Sequence, residues 1–463
     1  MNTFYDIHTH AFDLSHPSLS VFLQREDIID SVVDSVWTLS LRWLLPFASL
    51  MPKSSLKKLI HKKAATFQNQ LTNTLAFFEI PMEYQFLVMD YFLKNGATAG
   101  DEAYTKIVLC PLVIDFGHKN ITSSAYYNLT PKTPVAGQVS DLFYAIRTYC
   151  RFDVEIANNK MRLKAIDNWA ARKHEKRFEI YPFMGIDTRN YTKKAIITLL
   201  DKYFNSFSRH ETPTERHQRL FDKMGLLDSN LYRDRQTLTD ADREILRQQN
   251  LAPDYQYAFA GIKVYPQLGF DPFPDDTDER DKVNYLYQYC IDRRIPITTH
   301  CSDSGYKPED NNHLTTPMPA GKWANVLNAF PELTLNFAHF GSQGNGKKQW
   351  RDAIIELTNK YDRVYTDISC KSATYYKELA DLLTANPRLQ ERVLYGSDFS
   401  INLLVSDTNC YSENIDAFLH APLKPSDKIS LCERNPERFL FGGNVIRDMV
   451  GHANDTNNAN LRK

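Results

Sequence analysis

Short apolar runs, each closed by a polar or turn residue, recur along this chain. They alternate with longer stretches in which apolar positions return every three or four residues. The short runs read as strands buried on both faces and the longer ones as amphipathic helices. From residue 258 onward the pattern predicts strands at 259–265, 295–301, 333–339, 363–369 and 393–398. Helices are predicted between them over Arg280–Arg293, Gly321–Phe330, Gln349–Tyr361 and Ala373–Ala385. That alternation is the signature of repeated βα units. Further runs at 4–8, 107–115 and 178–187 bring the strands to eight. The expected fold is therefore α/β, a TIM (β/α)8 barrel with large helical insertions after the early strands.

The first insertion, about 14–100, carries helical patterns near 20–45, 55–75 and 82–95, and a second, charge-rich one spans about 205–255. Both leave the barrel at strand C-terminal ends, so they are expected to cap its mouth. The organisation predicted is one barrel domain over 1–445. A polar tail at 446–463 lacks periodicity and is expected to be disordered.

With 463 residues the chain is long enough for a large core, and its formal net charge of -1 argues against a nucleic-acid partner. A small-molecule substrate is the expected partner, and a homo-oligomer is compatible with the family resemblance described below. Seven cysteines, Cys110, Cys150, Cys290, Cys301, Cys370, Cys410 and Cys432, are scattered with no CxxC pair, which suggests neither a disulfide framework nor a zinc ribbon. No charged-then-apolar leader precedes the first strand, so a cytoplasmic location is expected. The apolar stretch 32–51 is broken by Asp34, Arg42 and Pro46, and no membrane span is expected.

The chemistry lies at the strand ends. His8 and His10 stand at i and i+2 in a strand, where extended backbone turns both to one side. His300, His339 and Asp398 each close a later apolar run. In a parallel barrel all five would meet at the C-terminal mouth. One such residue would be ordinary; five in one chain point to a metal. Imidazole and carboxylate donors suit zinc and its first-row neighbours, and no cysteine cluster competes. His16, His174, His210 and His217 lie in inserted or helical stretches and are read as surface residues, and Cys301 follows His300 on the opposite strand face.

Taken in order, the motifs HxH (His8, His10), GIKVYP (261–266), THC (299–301), AHFG (338–341) and GSD (396–398) resemble the amidohydrolase superfamily, in its amidohydrolase 2-like branch of metal-dependent hydrolases. The resemblance is strongest over 4–12 and 255–443. It implies His8, His10, His300 and Asp398 as ligands or near neighbours of a first metal. His339 would be either a ligand of a second metal or a catalytic group beside a single one. Lys263 stands where some relatives carry a carboxylated, metal-bridging lysine. An unmodified ammonium has no lone pair for a metal, so Lys263 is either carboxylated in a binuclear centre or a plain cation near a single ion.

The function expected is hydrolysis of an amide, ester or lactone of a small molecule by a water activated on a divalent metal, zinc being the expected ion, one or two per chain. Asp398, His339 and Lys263 are the candidate catalytic residues. Asp398 would shuttle the proton, and His339 or Lys263 would polarise the carbonyl. Arg189, Tyr265 and His313 are candidate substrate contacts, with an internal Asp187–Arg189 contact as the rival reading for Arg189. The alternatives are a metal-dependent decarboxylase of an unsaturated or aromatic acid and a non-catalytic metal-binding protein.

Overall fold

The structure is a computed structural model. It describes residues 2–11, 80–93, 97–99, 102–116, 135–157, 160–226, 259–305, 320–344, 346–405 and 411–445. Eight parallel strands form its centre: β1 (Asn2–Thr9), β2 (Glu102–Pro111), β3 (Phe178–Ile180, resumed as Phe183–Gly185), β4 (Gly261–Val264), β5 (Ile297–Thr299), β6 (Leu335–Phe337), β7 (Val364–Asp367) and β8 (Val393–Leu394). Each pairs in parallel with the next, from β1 on β2 through β7 on β8. Two backbone hydrogen bonds join the last strand to the first, Ile7 N to Tyr395 O at 3.1 Å and Asp398 N to His8 O at 2.7 Å. The sequence-predicted barrel and its eight strands are thus present.

β3 is split because Pro182 has no N–H to give the ladder. Its neighbours bridge the gap: Tyr181 N donates to Leu109 O at 2.8 Å and Ala260 N donates to Pro182 O at 2.7 Å. Among the helices are α1 (Met82–Phe92), α2 (Ala136–Arg151), α3 (Lys193–Phe204), α4 (Pro213–Lys223), α5 (Thr277–Arg293), α6 (Ala320–Ala329), α7 (Gln349–Lys360), α8 (Tyr375–Ala385), α9 (Tyr411–Leu419) and α10 (Asn435–Phe441). α5 starts before the predicted Arg280 because Asp276 caps it, accepting from Glu279 N at 2.8 Å. An antiparallel hairpin, Phe152–Ala157 against Lys160–Ala165, follows α2 and was not expected from the pattern.

α10 fills one end of the ring. Phe439 stacks on Phe183 of β3 and meets Tyr365 of β7, with centroids 6.2 and 5.4 Å away. Strands three and seven face each other across eight, so only a residue inside the ring reaches both. Asn435 donates to Val393 O at 2.8 Å, where β8 begins, so this is the N-terminal end. The opposite end is left for chemistry.

The described parts of the two predicted insertions join the wall of the barrel. α1 packs on α2, with Tyr149 Oη donating to Asp90 at 2.9 Å. α4 is held by Arg216, whose guanidinium donates to the carbonyls of Ser208, Arg293 and Arg294. The remaining predicted cap helices, His16 and the tail lie outside the described residues. No helix among the described residues is long and apolar enough to cross a membrane.

Candidate metal centre

The C-terminal ends of β1, β4, β5, β6, β7 and β8 bring His8, His10, Lys263, His300, His339, Asp367 and Asp398 into one buried cluster. His8 Nε2 lies 3.9 Å and His10 Nε2 3.5 Å from the Asp398 carboxylate. His339 Nδ1 lies 4.0 Å from the same group. His300 Nδ1 and His339 Nε2 face each other at 3.2 Å. The five residues singled out as strand-end donors are therefore together, with Lys263 among them.

The hydrogen bonds around the four rings assign their protons. His10 Nδ1 donates to Leu112 O at 2.7 Å, and His8 Nδ1 donates to Asp367 Oδ2 at 3.1 Å. His339 Nδ1 donates to Ser369 Oγ at 2.9 Å, since that hydroxyl gives its own proton to Asp367. His300 Nε2 donates to Ser304 O at 3.0 Å. Each ring has thus spent one nitrogen on the protein and turns a lone pair inward. Burial, before any neighbouring charge, favours the neutral form of three of the rings: His10 is pushed down to about 4, and His300 and His339 well below the ordinary imidazole value.

Three buried polar atoms at this place have no hydrogen-bond partner among the described residues: His8 Nε2, Asp398 Oδ1 and Lys263 Nζ. The two lone pairs of His300 and His339 also oppose each other with no proton to share. Leaving such groups buried costs roughly 1–3 kcal/mol each, so the lone pairs of His8, Asp398, His300 and His339 fit a cation that satisfies them together, a role Lys263 can share only as a neutral or carboxylated amine. Donors grouped closely enough to hold one are His8, His10 and Asp398; His8, His339 and Asp367; and His339, Cys370 and Asp398.

Several residues of this cluster were not anticipated. Asp367 ends β7 and orients the site: besides His8 it accepts from Asn336 Nδ2 at 2.8 Å and from His339 N at 3.0 Å. Burial alone would raise its carboxyl, but His8, His339 and the Ser369 hydroxyl hold it below the usual carboxylate range. Its signal was available, since Val-Tyr-Thr-Asp is another apolar run ended by a carboxylate. Cys370 Sγ lies 3.1 Å from Asp398 Oδ2, a single cysteine beside the donors that the sequence pattern had not singled out.

Lys263 is fully buried, and burial pushes its amine down to about 8 against the pull of Asp367 and Asp398. Tyr265 stacks on the His300 ring at 4.2 Å and fixes its plane. Arg189 donates to Asp187 Oδ1 at 3.0 Å and to Leu268 O at 2.7 Å, so the internal contact is present and ties the loops after β3 and β4. His313 lies outside the described residues. His174 and His210 are exposed as expected. His217 corrects that expectation: it is largely buried and bonds Glu179 at 2.8 Å beneath Tyr181.

A protein-family model described as Amidohydrolase, amidohydrolase 2 type, matches residues 234–442. Over this segment the chain is similar to the amidohydrolase family. The segment contains Lys263, His300, His339, Asp367 and Asp398, while His8 and His10 precede it. None of the curated proteins matches the chain. Among solved structures, an uncharacterized TIM-barrel protein from Bordetella bronchiseptica is 18% identical, covering 57% of this chain and 78% of its own, at a TM-score of 0.30. Amidohydrolase 2 from Bifidobacterium longum subsp. infantis is 13% identical over 44% of this chain and 76% of its own, at 0.28. A uronate isomerase from Bacillus halodurans is 12% identical over 96% of this chain and 94% of its own, at 0.42.

Proposed function

We propose that this protein is a metal-dependent hydrolase that cleaves an amide, ester or lactone bond of a small molecule. The observation that carries the reading is the division of labour in the four histidines. Each donates one N–H to a protein acceptor and aims its other, unprotonated nitrogen at the buried cluster around Asp398. Ligating histidines are oriented by such outer contacts.

His8, His10 and Asp398 would hold one divalent cation. The facing nitrogens of His300 and His339, with Lys263 beside them, would hold a second. A cation there supplies an acidified water and a Lewis acid for the scissile carbonyl. Asp398 Oδ1 has no hydrogen-bond partner among the described residues, so it can accept a proton from the attacking water and return it to the leaving group. Asp367 is fully committed to His8, Asn336, Ser369 and the His339 backbone, so its part is to hold the rings in place. Tyr265 keeps His300 from turning. Zinc is the cation we expect.

The test is metal analysis of protein purified without chelator, followed by assay of the metal-loaded protein on a panel of small amides, esters and lactones. Asp398→Asn should lower kcat/KM by roughly 10²–10⁴-fold, the usual worth of a positioned acid–base group. Full activity in that variant, or a chain that holds no divalent metal, would overturn the reading.

A further inference from the structure

We propose that Cys370 is a sulfur ligand of this centre and biases it toward thiophilic divalent cations. The proposal rests on the metal-centre reading above and adds a donor that the family resemblance did not supply. Cys370 follows β7, and its Sγ lies 3.1 Å from Asp398 Oδ2. Cys370, Asp398 and His339 each bring a donor atom within 4.8 Å of the other two. Sulfur and oxygen ligands sharing one tetrahedral zinc stand about 3.5 Å apart, given bonds of about 2.3 and 2.0 Å. The observed spacing needs only a slight opening.

A further group faces the same carboxylate oxygen: His8 Nε2 is buried, belongs to a residue 0% exposed, and has no hydrogen-bond partner among the described residues. His8 Nε2 is 3.9 Å from the Asp398 oxygen that Cys370 touches. A cation seated against Asp398 therefore finds imidazole on one side and sulfur on the other. Cys370 also differs from the other described cysteines, which are buried, in being partly open to solvent. An ion entering the mouth can reach it.

Binding converts the thiol to a ligand: the S–H proton leaves to solvent and a sulfur lone pair forms the bond to the cation, with no change of oxidation state. Thiolate favours soft and borderline ions over hard ones, so the site would prefer cadmium, zinc and cobalt to manganese and magnesium. The competing account is a thiol that only donates a hydrogen bond to Asp398, which a serine hydroxyl would replace.

Cobalt(II) separates the two accounts. Cobalt-loaded wild type should show visible ligand-field bands together with a near-ultraviolet sulfur-to-cobalt charge-transfer band. Cys370→Ser should keep the former and lose the latter. Cadmium affinity should fall roughly 10- to 100-fold in the variant, with manganese affinity changed less than about threefold. Zinc-edge X-ray absorption of the wild type should find a sulfur neighbour near about 2.3 Å. Bound cobalt without a charge-transfer band, or a band that survives Cys370→Ser, would overturn the sulfur ligand and leave the metal centre standing. A chain that takes up no cobalt or zinc would overturn the metal centre itself.

Discussion

Lys263 poses the sharpest question at the scale of one residue, because its amine is buried against two carboxylates with no hydrogen-bond partner among the described residues. Burial lowers its proton affinity, which leaves more of the neutral amine that can add carbon dioxide and become an anionic, metal-bridging carbamate. The opposed lone pairs of His300 and His339 favour a second cation at the same place. We expect about two metal ions per chain, as in two-metal hydrolytic sites, falling to about one in Lys263→Ala. Elemental analysis of both proteins decides it, and one ion in each would mark a plain lysine. The strand-end donors were legible because a donor after an apolar run needs only local sequence to be noticed. Cys370 was not: one thiol among seven has no pattern, and only the turn after β7 brings it to Asp398. The turns after β6, β7 and β8 share an unusual feature, since His339, Cys370 and Asp398 take positive φ of 61°, 54° and 50°. Left-handed backbone costs a non-glycine residue roughly 1–2 kcal/mol, and here it swings three strand ends toward one point.

Between elements, Asp6 holds β1 to the turn that carries Asp398. Its carboxylate accepts from Ser397 N at 2.8 Å, Ser397 Oγ at 2.6 Å and Tyr411 Oη at 3.0 Å. Asp6→Ala strands three buried donors, so a loss of about 3 kcal/mol in urea unfolding is expected, with weaker metal retention. Retained metal at wild-type stability would mean β8 is held by other contacts. Asp115 does similar work for the loops after β2 and β3, accepting from Asp187 N, Asn190 and Tyr191. Burial, then the neighbouring Asp187, pushes its carboxyl up to about 7. The folded protein therefore keeps a proton that the unfolded chain has released by about pH 4. Stability from this group falls as pH rises from about 4 to 7 and then stays level. Between pH 5 and 8, Asp115→Asn should gain on the order of 2 kcal/mol relative to wild type, whatever its offset at pH 5. Parallel urea titrations would expose a constant difference if that were wrong. Element existence was readable from periodicity, while boundaries moved where caps and prolines intervene, as at Asp276 and Pro182. The hairpin after α2 was missed because its strands are short and half-exposed, which leaves little alternation to detect.

Across the whole molecule, the donors come from opposite ends of the sequence: His8 and His10 from the first strand, His300 and His339 from the fifth and sixth, Asp398 from the turn after the eighth. β8 meets β1 through two backbone hydrogen bonds rather than a long ladder, and both flank the cluster, at Ile7 with Tyr395 and at His8 with Asp398. A cation shared by His8, His10 and Asp398 would therefore fasten the ring at its thinnest seam. The unfolded chain has no such preformed site, so metal binding should appear directly as folding stability, about 2.7 kcal/mol when free metal is at 100 times Kd. Stripping the metal with a chelator should lower the melting temperature by several degrees, and adding zinc back should restore it. In a His8→Asn, His10→Asn double variant both steps should have a much smaller effect, because the seam has lost its donors on the β1 side. A wild type that melts at the same temperature with its metal verifiably gone would mean that α10 and the helical wall hold the ring closed on their own.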